Sequence, residues 1–225
     1  ERMNRVDAVL FDNDGVIVDS EQYWHDIATD LFQEATADTI DGDAALADAL
    51  GMNYREIYDL LADRYDVTMD RQTFIQRYED AADEIYRERV SLMDGFHDLV
   101  EAVTAEDCLT AIVSSSPQRW LNLVVDRFDL DGIDEVISAD TLRQTGEIDA
   151  GKPAPDVYRA TARRLGVDPS HCLVVEDSVN GVNAATAAGM TCIAYGQSVE
   201  GADATALTPQ ELRTLVLAAV REKVF

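Results

Sequence analysis

The feature that most constrains the fold is a series of short, almost uninterrupted apolar runs, each broken off by polar residues. Residues 6–11 (VDAVLF) run into DNDG, 109–113 (LTAIV) into SSS, 172–175 (CLVV) into ED, and 191–195 (TCIAY) into a glycine-containing loop. A strand that is apolar at nearly every position has both faces covered, as in a parallel sheet packed between helices. A weaker strand candidate, residues 135–137, precedes Ser138.

Helical patterns separate these runs. Residues 96–103 carry apolar side chains at Phe96, Leu99, Val100 and Val103, and residues 120–128 follow Pro117. Residues 156–165 open after Pro-Ala-Pro and stop at Gly166, residues 179–188 stop at Gly189, and residues 211–220 form the last helix. Strands alternating with helices predict a doubly wound α/β domain with a Rossmann-like parallel sheet.

Between residues 20 and 90 the strand signal disappears. Residues 23–32, 44–50, 54–65 and 70–89 all read as helices, punctuated by Gly42, Gly51 and residues 67–69. The expectation is an all-helical domain, residues 19–91, inserted into a core made of residues 1–18 and 92–225. Hinges are expected near residues 18–20 and 91–95.

Composition narrows the class. The chain has 225 residues, 47% of them hydrophobic, but no apolar run reaches the ~18 residues that cross a bilayer. The first apolar stretch is too short for a secretory signal. Cys108, Cys172 and Cys192 are odd in number and scattered, without metal-ligand spacing or a disulfide framework, so buried free thiols are expected. These features together point to the cytoplasm. With 44 acidic against 18 basic residues and a net charge of −26, the surface offers nucleic acid no basic cluster. The acidic excess resembles proteins of salt-in halophiles. Lysine is nearly absent: Lys152 and Lys223 are the two in the chain, every other basic residue being arginine. Nothing in the sequence sets an oligomeric state.

In a parallel α/β sheet, reactive groups gather where strands end at their carboxyl edge. The polar residues placed there are Asp12 and Asp14, then Ser114 and Ser115, then Glu176 and Asp177, with Lys152 in the loop GKPAPD. The set suits phosphate-monoester chemistry. Mg²⁺ prefers oxygen ligands, which Asp12 and Asp177 can supply, while lysine and serine hold phosphate oxygens. Asp12 and Asp14 are two residues apart, which puts both side chains on one side of an extended chain, and Gly15 allows a sharp exit. One carboxylate can attack phosphorus while the other protonates the leaving oxygen and later deprotonates water.

The segments LFDNDGVIVDSE, IVSSSP, GKPAPDVY and VVEDSVNGVNAATAAGM occur in that order. They resemble the four signature motifs of the haloacid dehalogenase-like superfamily, in its phosphatase and β-phosphoglucomutase-like branch. The resemblance implies Asp12 as nucleophile and Mg²⁺ ligand, and Asp14 as general acid/base with its backbone carbonyl on the metal. It implies Ser114 as a phosphoryl contact, Lys152 as charge balance, and Asp177 as a further ligand. Glu176 would orient Asp177 or a metal-bound water, and Ser115 would help to bind substrate. The helical insert resembles that family's cap, in which Arg55, following Gly51 and Tyr54, would contact substrate. Trp24 and His25 lie near the cap entrance, and His97 and His171 read as surface residues.

Asp14 argues against a dehalogenase, because a halide leaves without a proton. Cleavage of phosphonates by these relatives needs a cap lysine, and residues 1–151 contain none. The implied activity is hydrolysis of a small phosphorylated metabolite, of sugar phosphate or phosphoglycolate type. The alternative is a sugar phosphomutase of the β-phosphoglucomutase type. Trp24, standing where that enzyme's hinge histidine is expected, and the missing cap lysine favour hydrolysis.

Overall fold

The structure, a computed structural model, describes residues 6–36, 40–49 and 54–222. Leu50, Gly51 and Lys223, singled out in the sequence, lie outside them. The chain divides into two compact units, Ser20–Val90 and Glu1–Asp19 with Ser91–Phe225.

The larger unit is built on a parallel sheet. In chain order its strands are β1 (Ala8–Phe11), β2 (Leu109–Ser114), β3 (Glu135–Ser138), β4 (Cys172–Glu176), β5 (Thr191–Tyr195) and β6 (Ala204–Ala206). Among the described residues they lie in the order β3-β2-β1-β4-β5-β6, every pairing parallel. β1 is central, and the strand order reverses beside it, which opens a crevice at the carboxyl ends of β1, β2 and β4. The four expected apolar runs and the weaker one at Glu135 all form strands. The three-residue β6 was not expected, being too short to show a pattern.

Alternation along the strands assigns the two faces. Ala8 and Leu10 join a buried cluster with Ala111, Val113, Cys172 and Val174. Over them pack Val157, Tyr158 and Ala160 of α8 (Asp156–Leu165) and Val182 and Ala185 of α9 (Val179–Ala188). On the opposite face Phe11 meets Phe96 of α5 (Phe96–Thr104) edge to face, with ring centroids 5.2 Å apart. α6 (Gln118–Arg127), α7 (Ala139–Thr145) and α10 (Pro209–Glu222) complete the unit. α7 was not expected. It is short and polar, defined by the Ser138 side chain at its start and by Gly146 in the left-handed region at its end.

The smaller unit consists of α1 (Glu21–Ala35), α2 (Gly42–Ala49), α3 (Tyr54–Arg64) and α4 (Arg71–Glu84), the last continued by a π-helical turn, Ile85–Arg89. The continuous helix expected over 70–89 is thus widened near its end, with the Val90 amide donating to the Ile85 carbonyl. Aromatic rings organise this unit. Trp24 and Tyr54 each stack on Tyr78, at 4.8 and 5.4 Å, and the Trp24 indole donates to the Tyr86 hydroxyl.

Candidate active site

β1 ends in a tight turn that presents two carboxylates. Gly15 adopts φ 78°, and the Asn13 carbonyl accepts from the amides of Val16, Ile17 and Val18. Only a residue without Cβ takes that dihedral at no steric cost. Asp12 keeps the parity of Ala8 and Leu10, so its carboxylate lies on the α8 side of the sheet. Glu176, with the parity of Cys172 and Val174, faces the same way.

The parity brings three separated segments together. The Lys152 ammonium donates to Asp12 Oδ1 at 2.6 Å, to Glu176 Oε1 at 2.5 Å and to the Val113 carbonyl at 3.1 Å. Its three N–H groups thus meet acceptors at the end of β1, on β4 and on β2. The Lys152 side chain is 5% exposed and that of Glu176 1%. Carboxylate oxygens of Asp12, Glu176 and Asp177 all lie within 4.8 Å of one another.

Glu176 is tightly held. Oε1 also accepts from the Tyr158 hydroxyl at 2.7 Å, while Oε2 accepts from the amides of Asp177 and Ser178 and from Ser178 Oγ. Ser178 also caps α9 by accepting from the Gly181 amide. A Cβ added to Gly181 would stand 1.8 Å from the Glu176 carboxyl carbon, so a larger residue there must displace that carboxyl group. Gln197 donates to the Asp177 carbonyl at 2.8 Å, fixing the loop behind that acid.

Asp14 turns towards β2. Its Oδ2 accepts from Ser116 Oγ at 2.8 Å and lies 3.4 Å from Ser114 Oγ. Ser116 is in turn fastened by Ser138 Oγ, which donates to its carbonyl. The sequence reading named Ser114 and Ser115, yet the Ser115 side chain is exposed and Ser116 meets the acid. The run of three serines carried the signal, since Ser114 and Ser116 are two apart and Ser115 lies between them. Tyr158 was likewise missed, although it belongs to the quoted segment GKPAPDVY.

Arg55 lies in the other unit, on α3. Its guanidinium stands 4.5 Å from the Tyr54 ring centroid and 3.9 Å from Glu79 Oε1. His25 is exposed beside Asp26, and His171 pairs with Asp7 at 2.9 Å.

The electrostatics follow from burial. Desolvation pushes the Asp12 carboxyl well up; Lys152 opposes this, and Glu176, Asp177 and Asp14 add to it. Burial by itself lowers the Lys152 pKa, but Asp12 and Glu176 outweigh it and hold the ammonium protonated. Burial, then Glu176 and Asp12, raise the Tyr158 phenol well above its usual range, so it stays a neutral donor. Three buried acids, Asp12, Glu176 and Asp177, against one ammonium leave surplus negative charge. A hard divalent cation fits that surplus and the all-oxygen donor set of Asp12 and Asp177.

The family profile described as haloacid dehalogenase-like hydrolase matches residues 9–195. Hexitol phosphatase B of Escherichia coli (strain K12) is 34% identical over 188 residues, covering 83% of this chain and 82% of that protein. The phosphorylated carbohydrates phosphatase of Thermotoga maritima is 28% identical, covering 85% of each chain. The crystal structure of β-phosphoglucomutase from Clostridium difficile superposes with a TM-score of 0.75 at 22% identity, over 97% of this chain and 96% of that one. The likeness is one of fold.

Proposed function

As a member of the haloacid dehalogenase-like hydrolase family, the chain is a phosphoric monoester hydrolase, and we propose that it releases phosphate from a small phosphorylated sugar or polyol by way of a phospho-aspartate at Asp12. The observation that carries this reading is the shared grip of Lys152 on Asp12 and Glu176 beside Asp177. Two named phosphatases of phosphorylated carbohydrates among the relatives favour that substrate class over phosphoglycolate.

The geometry supports the following roles. Asp12 attacks phosphorus with one carboxylate oxygen, and the ester oxygen departs. Lys152 neutralises charge on Asp12 and on the incoming phosphate. Asp14 protonates the departing oxygen and then takes a proton from the water that cleaves the acyl phosphate. Ser114 and Ser116, already donating towards Asp14, offer hydroxyls to the phosphoryl oxygens, and Ser115 adds to the same loop. Asp12, the Asp14 carbonyl and Asp177 would hold Mg²⁺, which supplies charge neutralisation and alignment of the phosphate. Glu176, whose oxygens are engaged by Lys152, Tyr158 and the start of α9, serves the ammonium first. By its resemblance to the family's cap, the helical unit would serve to select the substrate, with Arg55 as a candidate contact.

The test is phosphate release from a panel of hexitol, hexose and short-chain phosphates with Mg²⁺. Turnover should vanish on chelation, return on adding Mg²⁺, and be lost by at least about a thousandfold in Asp12→Asn. Turnover that survives both would reject the mechanism. Conversion of β-glucose 1-phosphate to glucose 6-phosphate without free phosphate would establish the mutase instead.

A further inference from the structure

We propose that Tyr158 is a positioning residue for phosphoryl transfer, its hydroxyl fixing the Glu176 carboxylate that in turn aims the Lys152 ammonium at Asp12. The inference rests on the phosphatase reading and adds to it a residue that touches neither phosphate nor metal.

Tyr158 is fully buried in a cluster of apolar side chains from β1, β2, β4, α8 and α9. A hydroxyl in such surroundings is costly unless it has a partner, and its partner is Glu176 Oε1, at 2.7 Å. That oxygen is the one that accepts from Lys152. The remaining constraints on Glu176 are at Oε2, held by Ser178 and the amide of Asp177, and at the face of the carboxyl group, where Gly181 leaves no room for a Cβ beside either oxygen.

Of the three acceptors of the ammonium, the Val113 carbonyl is fixed by the sheet and Asp12 by the turn. Glu176 is a flexible side chain, as well placed as its own partners make it. Removing the hydroxyl takes away one of the two donors to Oε1 and leaves Lys152 as the other, so the carboxylate can shift with the ammonium and draw it away from Asp12. A misplacement of about 1 Å at a reacting group can cost about a hundredfold in rate. The Tyr158 ring centroid also lies 5.1 Å from the ammonium; phenylalanine keeps that contact, so Tyr158→Phe isolates the hydroxyl.

The experiment uses p-nitrophenyl phosphate with saturating Mg²⁺. Tyr158→Phe should lower kcat by about ten- to a hundredfold with KM nearly unchanged, and a thermal melt should show a folded protein. In a Glu176→Gln background the same change should cost little more, because its effect passes through that carboxylate. Gly181→Ala, whose added Cβ would displace the Glu176 carboxyl group, should lower kcat as well.

A readout independent of turnover comes from the scarcity of lysine. In protein labelled with ¹⁵N at lysine Nζ, the Lys152 ammonium should shift and exchange its protons faster in Tyr158→Phe, while Lys223 serves as reference. An unmoved Lys152 signal overturns the proposal whatever the kinetics. So does a kcat loss that is undiminished in the Glu176→Gln background, which would mark a merely structural tyrosine. Absence of turnover in the unaltered protein would instead reject the phosphatase reading, and the spectrum would still decide the role of Tyr158.

Discussion

Lys152 concentrates the chemistry of the core in one side chain. Its compact ammonium has three donors for three acceptors, on β2, on β4 and just past the end of β1, a fit that the planar fork of arginine does not reproduce. In a chain where nearly every other cation is arginine, that fit accounts for a lysine here. Lys152→Met would leave two buried carboxylates unpaired, and should destabilise the protein by about 3–5 kcal/mol in urea unfolding. Lys152→Arg should fold better than Lys152→Met yet remain inactive. The cysteines sit at the other extreme of reactivity. All three are free and buried, and burial pushes the thiols of Cys172 and Cys192 up to about 12. A thiol reagent at neutral pH should label none of them in the folded protein and all three after denaturation.

Elements were legible in the sequence where their pattern was long or their ends were punctuated. α8 and α9 were bounded correctly because Gly166 and Gly189 stop them in the left-handed region. β6 and α7 were not legible, one being three residues long and the other polar along most of its length. The same limit applies to the site. Asp12, Lys152, Glu176 and Asp177 follow strands or occupy a quoted motif, and the structure brings them together. Ser116 meets Asp14 through the turn after β2, and Tyr158 meets Glu176 through the packing of α8, neither of which sequence spacing displays. Capping residues offer a test at this scale. Ser178→Ala removes both the α9 cap and a donor to Glu176, and should cost about 1–2 kcal/mol. In the helical unit, the hydroxyl and amide of Thr73 hold the Asp70 carboxyl below its ordinary 3.8. A depressed folded pKa gives stability that is complete above 3.8 and lost as the pH falls through the lower folded value. Asp70→Ala should therefore be less stable at neutral pH and lose less on acidification, as followed by circular dichroism.

For the whole molecule, charge is the dominant variable. A net charge of −26 repels itself over a Debye length of about 30 Å at 0.01 M salt but only about 3 Å at 1 M. The melting temperature should rise markedly between dilute and molar potassium chloride, and an unchanged value would argue against halophilic adaptation. Mg²⁺ should raise it further at fixed ionic strength, since a ligand bound by the folded state alone stabilises it. Asp177→Asn should remove that increment. The reaction itself is a property of the whole fold, because its groups come from chain segments joined only through the sheet. Rapid acid quench during turnover, followed by peptide mass spectrometry, tests it most directly. The expected result is one phosphoryl group on the peptide containing Asp12, dependent on Mg²⁺ and absent from Asp12→Asn. Steady turnover with the phosphoryl group on another residue, or on none at any quench time, would contradict the account.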